Sequence, residues 1–285
     1  MKNLMLSVAG AAVFFATTPA ISQTSTLYGV TGAANGDVVI IDVASGIFTG
    51  GPTASGAVFL SGLAFDQQSG TLYSLDVFGD PALVSIDLNT SQATEIGGIG
   101  FGGIFTADRA RSLAFDSSSD TLFALGSSSS GGDSRLLSID AGTGAASVVG
   151  SAGLPDELTA ITYDPVTDTL YGVTSNFAPL APDLVSQLVE IDRATGAATV
   201  IAGLQGASLF DAIAVNPFSG GLIGFDAVTG SLLTIDPLSG ATGVIGETTR
   251  NGITGLAFVP SGFVPAPGAA AALGLGGLLA ARRRR

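Results

Sequence analysis

A block of four short apolar segments occurs five times in this chain, and that repeat constrains the fold more than any other feature. The first segment of each block begins at residue 63, 113, 161, 213 or 256, at intervals of 43 to 52 residues. The segments are rich in Val, Ile, Leu and Tyr and are bounded by Gly, Ser and Asp, as β-strands are. Four-stranded propeller blades repeat at about 40–50 residues, whereas leucine-rich and β-helix repeats are far shorter. The repeat therefore predicts an all-β fold, a five-bladed β-propeller of four-stranded blades over residues 24–262.

The two ends of the repeated region complete each other. Residues 26–50 supply a second, third and fourth segment but no first one, and residues 253–259 supply a first segment alone. We therefore expect one blade to be closed jointly by the N- and C-terminal strands, because ring closure removes exposed sheet edges. Five first segments then give five blades in a single domain.

Aspartate recurs where the first and third segments end. The resulting D-x-x-[ST]-[GD] turns begin at Asp66, Asp116, Asp164, Asp42, Asp140, Asp192 and Asp236. A short Asp side chain accepts hydrogen bonds from turn N–H groups, so we expect these residues to be structural. The alternative is a ring of calcium sites, but no D-x-D-x-D-G loop is present. Neither a metal nor a cofactor is expected.

Composition restricts the available chemistry. The chain has no Cys, His or Trp, which excludes a Ser-His-Asp triad, a thiol nucleophile, a disulfide and an ordinary zinc site. All 23 acidic residues but only five arginines lie between the two terminal segments, so the predicted mature domain has a net charge of −18. Such a surface repels nucleic acid. The composition favours binding or structure over catalysis.

The N-terminal residues predict export. Lys2 precedes an apolar run over residues 4–16, Pro19 interrupts it, and Ala20-Ile21-Ser22 fits a cleavage site. The apolar run is too short for a membrane span of about 20 residues. Residues 1–22 are therefore predicted to be a secretory signal peptide.

The C-terminal residues 263–285 have three parts in a fixed order. They are the motif Val264-Pro265-Ala266-Pro267, an apolar run over 269–281, and the basic residues Arg282, Arg283, Arg284 and Arg285. A short apolar helix with a basic stop predicts transient membrane retention rather than permanent anchoring. The three parts resemble the PEP-CTERM sorting signal of Gram-negative bacteria, with Ala266 where that family usually has Glu. The resemblance implies an exosortase-type processing enzyme at the inner membrane as a partner, removal of the tail near the proline motif, and a place at the cell surface or in the extracellular matrix.

Charged residues cluster where the first segments begin. First strands of propeller blades line the central channel, so their starts should form one face of the ring. The candidate ligand-binding residues at that face are Arg109, Arg111, Glu157, Phe210, Asp211 and Arg250. Arginine recognises carboxylates or sugar hydroxyls, and Phe210 or Phe105 would offer an apolar platform. The plainer alternative is that Arg111 pairs with a neighbouring acid at the surface.

Two functions are compatible with these features. The sequence favours an exported, non-enzymatic binding module that is a monomer and contacts extracellular polysaccharide or a surface protein. The alternative is a glycosidase-like, carbohydrate-active enzyme in which Asp211 acts with Glu157 or Asp156 as acid and base at the channel mouth. The lack of Trp and His weighs against the enzyme.

Overall fold

The computed structural model of the chain describes fourteen stretches between residues 24 and 263. They are residues 24–32, 36–49, 56, 59–78, 80–90, 92–100, 105–106, 112–128, 134–150, 154, 158–174, 186–205, 209–248 and 252–263. Within them the chain forms strands, tight turns and one short 3-10 helix, Ser261–Phe263.

The strands follow one another in the order that the repeat predicts. The first twelve are β1 (Ser25–Thr31), β2 (Val38–Ile41), β3 (Phe48–Thr49), β4 (Leu60–Asp66), β5 (Thr71–Asp76), β6 (Ala82–Ile86), β7 (Ala93–Gly98), β8 (Phe105–Thr106), β9 (Leu113–Asp116), β10 (Thr121–Ser128), β11 (Arg135–Ile139) and β12 (Ala146–Val148). The others are β13 (Leu158–Asp164), β14 (Thr169–Thr174), β15 (Gln187–Ile191), β16 (Ala198–Gly203), β17 (Phe210–Val215), β18 (Leu222–Asp226), β19 (Ser231–Ile235), β20 (Thr242–Glu247) and β21 (Ile253–Pro260).

These strands form five antiparallel sheets, one for each blade. Blade 1 has the order β21-β1-β2-β3, blade 2 β4-β5-β6-β7, blade 4 β13-β14-β15-β16 and blade 5 β17-β18-β19-β20. In blade 3, β9-β10-β11-β12 is the repeated unit, and β8 pairs with the far end of β10. The inner strand of blade 3 is therefore in two pieces. The five-bladed propeller of four-stranded blades is confirmed.

Blade 1 closes the ring in the predicted way. Strand β21 pairs with β1 from Ser25 opposite Pro260 to Thr31 opposite Ile253. The ladder continues past the strands, since the backbone N–H of Ser261 donates to the carbonyl of Thr24 at 2.7 Å. Residues that are more than 200 positions apart thus form one blade.

The inner strands β4, β9, β13, β17 and β21 contact one another in ring order around the axis. Their backbones approach closely: a Cβ atom on Gly62 would lie 2.6 Å from the amide nitrogen of Leu113, and one on Gly255 2.5 Å from the carbonyl carbon of Gly62. Apolar side chains fill the space between each blade and the next, for example Leu63 with Tyr28 and Phe210 with Tyr171. The core is therefore a ring of interfaces between neighbouring blades.

The ends of the inner strands define two faces. We call the face where the inner strands begin the upper face, and the face where they end the lower face. The turns between first and second strands and between third and fourth strands lie at the lower face, because neighbouring strands are antiparallel. Their Asp carboxylates accept backbone N–H groups, as in the bond from Ala44 to Asp42 at 2.8 Å and from Ser118 to Asp116 at 2.8 Å. The turn role of these aspartates is confirmed, and no three acidic side chains of the described stretches lie together as metal ligands.

Candidate functional site

The predicted ligand face at the channel mouth corresponds to the upper face. Arg109, Arg111, Asp156, Glu157 and Arg250 lie outside the described residues, as do the two terminal segments, residues 1–23 and 264–285. Their roles stay predictions. Phe210 and Asp211 are described, and they lie next to each other at the start of β17.

Phe210 does not offer its ring to a ligand. Its side chain is 0 % exposed and packs between blades 4 and 5 with Tyr171 and Val173. The ring lies against Gly224, where a Cβ atom would be 2.5 Å from its Cε1 atom. The prediction of an apolar platform at Phe210 is therefore wrong, because this aromatic side chain faces the neighbouring blade rather than the channel.

Asp211 lies in a β-bulge. The register of β17 against β18 shifts between Phe210 and Ala212, so two residues of the inner strand oppose one of its partner. The same shift occurs in β4 at Gly62, in β13 at Thr159 and in β21 opposite Val30 and Thr31. A bulge changes the direction of a side chain relative to regular alternation. The half-buried position of Asp211 therefore results from a structural element that four blades share.

Hydroxyl groups connect the inner strands near these bulges. The Thr254 hydroxyl donates to the Leu60 carbonyl at 2.7 Å, and the Thr159 hydroxyl donates to the Phe210 carbonyl of the next blade. The Ser112 Oγ accepts the Ile161 amide at 2.9 Å. Each of these hydroxyls thus forms a hydrogen bond with a backbone group of an inner strand in the next blade. The upper ends of the inner strands are thus held by polar contacts between blades.

The lower end of the channel is open and forms a cavity of about 410 Å³. The third residue of each repeated first segment lines it: Phe65, Phe115, Tyr163, Val215 and Phe258. The residue before each of these is small, as Ala64 and Ala257 are, which leaves room at the axis. The sequence carries this signal in the repeated LAF and ITY triplets, but there the aromatics serve equally well as strand markers.

Apolar turn residues form the rim of this cavity. Val166 and Phe218 follow prolines in the turns after β13 and β17, and they are 84 % and 60 % exposed. Among the described residues that line the cavity, the charged side chain is Asp164, which is buried. Its carboxylate accepts the Val166 amide at 2.9 Å and the Thr167 hydroxyl at 2.8 Å. The cavity therefore offers apolar contact surface rather than a pair of catalytic acids.

An ion-pair network lies beside the cavity, between blades 3 and 4. Arg193 pairs with Asp116 and, through Nη2, with the Asp168 Oδ1 at 2.8 Å. Its guanidinium carbon lies 5.3 Å from the centre of the Tyr163 ring, and the Tyr163 hydroxyl donates to Asp168 at 2.6 Å. The network borders a polar groove of about 710 Å³. Sequence reasoning missed it, although Arg193 is the one arginine within the repeated Asp turns.

The network shifts the pKa values of its members. Burial of Asp116 favours the neutral acid, yet hydrogen bonds from Ser119, Ser118 and Arg193 hold its pKa well below the usual range. Burial and the hydrogen bond to Asp168 raise the pKa of Tyr163 to about 12. Asp116 is therefore ionised and Tyr163 protonated at neutral pH. Since each already has a partner, the arrangement joins two blades and leaves no free acid or base among these groups.

The fold and the cavity together define a class: a five-bladed β-propeller with an apolar axial cavity at its lower face. No family model and no curated protein matches the chain. Solved propellers match it in structure. One chain of a nidogen/laminin complex has a TM-score of 0.55 at 16 % identity, with 82 % of this chain and 97 % of that one covered.

Two bacterial structures are also similar. TolB from Acinetobacter baumannii has a TM-score of 0.50 at 13 % identity, and a protein of unknown function from Bacteroides thetaiotaomicron has 0.51 at 16 %. They cover 80 % and 79 % of this chain, which spans 54 % and 58 % of their own lengths. At these identities the similarity shows the fold alone. No helix of the described stretches is long and apolar enough to cross a membrane.

Proposed function

We propose that the chain is an exported, non-enzymatic binding module of the cell surface or extracellular matrix that holds an apolar group of a partner protein in the lower-face cavity. The observation that carries this proposal is the lining: aromatic residues around the axis and a rim with exposed Phe218 and Val166. Exposed apolar residues beside a cavity are typical of interaction sites. One chain of similar structure was crystallised in a nidogen/laminin complex, which supports a binding role.

The chemistry of the cavity favours a protein partner over a polysaccharide. Sugar recognition needs several hydrogen-bonding side chains directed at the ligand, whereas the residues around the axis offer mainly aromatic and aliphatic surface. A volume of about 410 Å³ lies within the range of about 300–1,000 Å³ that is common for ligand sites. One aromatic or branched aliphatic anchor would bury its surface there. The predicted signal peptide and tail support export.

The glycosidase-like alternative has no support from the cavity. Such enzymes place two carboxyl groups about 5–9.5 Å apart across the bond that they cleave. In the cavity the charged side chain is Asp164, whose oxygens accept bonds from its own turn. The pairing of Asp211 with Asp156 or Glu157 at the upper face stays a prediction.

Photocrosslinking in the producing cells tests the proposal. Benzoylphenylalanine is placed at position 218 or, as the matched control, at position 238. Both positions are the third residue of an x-Pro-apolar-Ser-Gly turn of blade 5, but Leu238, which is 87 % exposed, does not line the cavity. We expect position 218 to give a discrete adduct with one exported protein, and Val166→Asp to reduce it at least fivefold. Equal labelling from both positions, an adduct with polysaccharide or no adduct would contradict the proposal.

A further inference from the structure

Two stacked phenylalanines lie at the upper face of blade 2. Phe59 immediately precedes β4 and Phe78 follows the end of β5. Their ring centroids lie 5.5 Å apart, with an angle of 15° between the ring planes. Phe59 is half-buried, whereas Phe78 is 62 % exposed. Phe59 therefore covers one face of the Phe78 ring and leaves the other face open to solvent.

One carboxylate at the end of β5 holds both aromatic residues. The Oδ1 atom of Asp76 accepts the backbone N–H of Phe59 at 3.3 Å and that of Phe78 at 3.1 Å. The N–H of Val77 donates to the Phe59 carbonyl at 2.9 Å. A second carboxylate, that of Asp80, follows two residues after Phe78 and is exposed. We call Phe59, Asp76, Phe78 and Asp80 the aromatic site of blade 2.

Blade 5 forms the same backbone arrangement without aromatic side chains. There the N–H of Ala227 donates to the Leu209 carbonyl at 2.8 Å, and the N–H of Val228 donates to the Asp226 carboxylate at 2.9 Å. Leucine and valine thus meet the requirements of the fold at the two positions that are phenylalanine in blade 2. Because the fold does not need an exposed aromatic ring at this turn, the stack in blade 2 points to a ligand.

We propose that the aromatic site of blade 2 binds the guanidinium group of an arginine in a basic segment of a partner protein. A guanidinium is planar, stacks on aromatic rings and donates hydrogen bonds to carboxylates, so it suits both features of the site. The predicted net charge of −18 attracts a basic segment and repels an anionic polysaccharide. This inference goes beyond the proposed function, because the site lies at the face opposite to the cavity.

The molecule already holds one arginine in such surroundings. The guanidinium carbon of Arg193 lies 5.3 Å from the centre of the Tyr163 ring, and the same group pairs with Asp116 and Asp168. An aromatic ring together with two carboxylates therefore binds a guanidinium in this protein. At the upper face of blade 2 the same combination is presented towards solvent, where an arginine of another protein can reach it.

Binding of a labelled peptide to variants of the exposed ring tests this inference. The probe is a fluorescein-labelled pentapeptide in which two arginines alternate with glycines, and its control carries uncharged citrulline in place of both arginines. Fluorescence anisotropy at physiological ionic strength gives the dissociation constants. We expect Phe78→Leu to weaken binding of the arginine peptide about fivefold, as the loss of a cation–π contact would, and Phe78→Trp to strengthen it.

Val228→Leu is the matched control, because Val228 occupies the equivalent turn position of blade 5 and is 60 % exposed. It should leave the affinity unchanged. None of these variants alters the net charge, so general attraction of a basic peptide to an acidic protein is the same in all of them. Equal affinities of the unmutated chain and Phe78→Leu, or equal binding of the citrulline peptide, would overturn the proposal.

Two other occupants would also be detected. If Phe78→Leu weakens binding of neutral cellohexaose and not that of the arginine peptide, the site binds sugar and the proposal is wrong. If Arg111→Ala strengthens binding of the arginine peptide, an arginine of the chain itself occupies the site, and the proposal of a partner protein is likewise wrong. Photocrosslinking from position 218 probes the opposite face, so the two proposals fail separately.

Discussion

Replacement of one glycine at the axis tests how closely the inner strands approach. Gly62→Ala adds a Cβ atom 2.6 Å from the backbone nitrogen of Leu113, in a residue with a φ of 70°. The left-handed backbone costs an L-residue about 1–2 kcal/mol, and the overlap adds about 1–3 kcal/mol because a backbone atom of a neighbouring blade cannot turn aside. We therefore expect Gly62→Ala to lower the free energy of unfolding by about 2–5 kcal/mol.

Gly220→Ala is the matched control for this substitution. Gly220 has a φ of 68°, nearly the same as Gly62, but a Cβ atom there would meet nothing within 4 Å. Gly220→Ala should therefore lower the free energy of unfolding only by the cost of the left-handed backbone conformation, about 1–2 kcal/mol. Urea denaturation of the processed protein, followed by circular dichroism, gives both values. If the two variants lose equal stability, the inner strands do not pack backbone against backbone at Gly62, and the reasoning is refuted.

Three further predictions concern the network between blades 3 and 4 and its turns. Arg193→Met should lower the free energy of unfolding at pH 7 by about 2–3 kcal/mol, because the buried Asp116 keeps its charge without this partner. Because the pKa of Asp116 is lowered in the fold, its ionisation stabilises the folded protein above the unfolded pKa of about 4, and this stabilisation is lost as the pH falls below that value. Denaturation curves of the unmutated protein and of Arg193→Met at pH 7 and pH 3 should therefore show a smaller difference in the free energy of unfolding at pH 3. Spectrophotometric titration should find one of the four tyrosines ionising near pH 12, and Tyr163→Phe should remove that step; a chain in which all tyrosines titrate near 10 would contradict the buried hydrogen bond. Asp120→Gly should stabilise the protein by about 0.5–1 kcal/mol in thermal denaturation, since Asp120 has a φ of 53°, whereas Asp168→Gly at a φ of 57° should destabilise it because Asp168 binds Arg193 and Tyr163. Equal responses at the two positions would argue against the network.

The blades could be predicted from the sequence because their determinants are local. Strand patterning and the Asp turns repeat within each block, and a turn such as that at Asp42 is complete within five residues. The joint closure by β1 and β21 could also be predicted, because residues 26–50 lack a first segment and residues 253–259 supply one. The bulges could not be predicted, since a bulge depends on which residue of the neighbouring strand is opposite.

The site could be predicted less well, because its features depend on contacts between distant residues. Arg193 lies 77 positions from Asp116, and nothing in either turn indicates the other. Phe210 was expected at a ligand face, yet alternation along a bulged strand turned its ring into the core. The aromatics at 65, 115, 163 and 258 were visible in four of the five blocks, but their position at the lower end of the axis follows from the ring as a whole.

The antiparallel pairing of β1 with β21 also determines how the ring responds to mechanical load. Thr24 and Ser261 lie side by side, so tension between the two ends of the domain pulls β1 and β21 apart at that point. The hydrogen bonds of the ladder are then loaded one after another rather than all together, and the ring opens at low force. A chain held at one end only transmits no tension through this ladder. Attachment by a single terminus therefore leaves the closure of the ring unstressed, whereas attachment by both would open it.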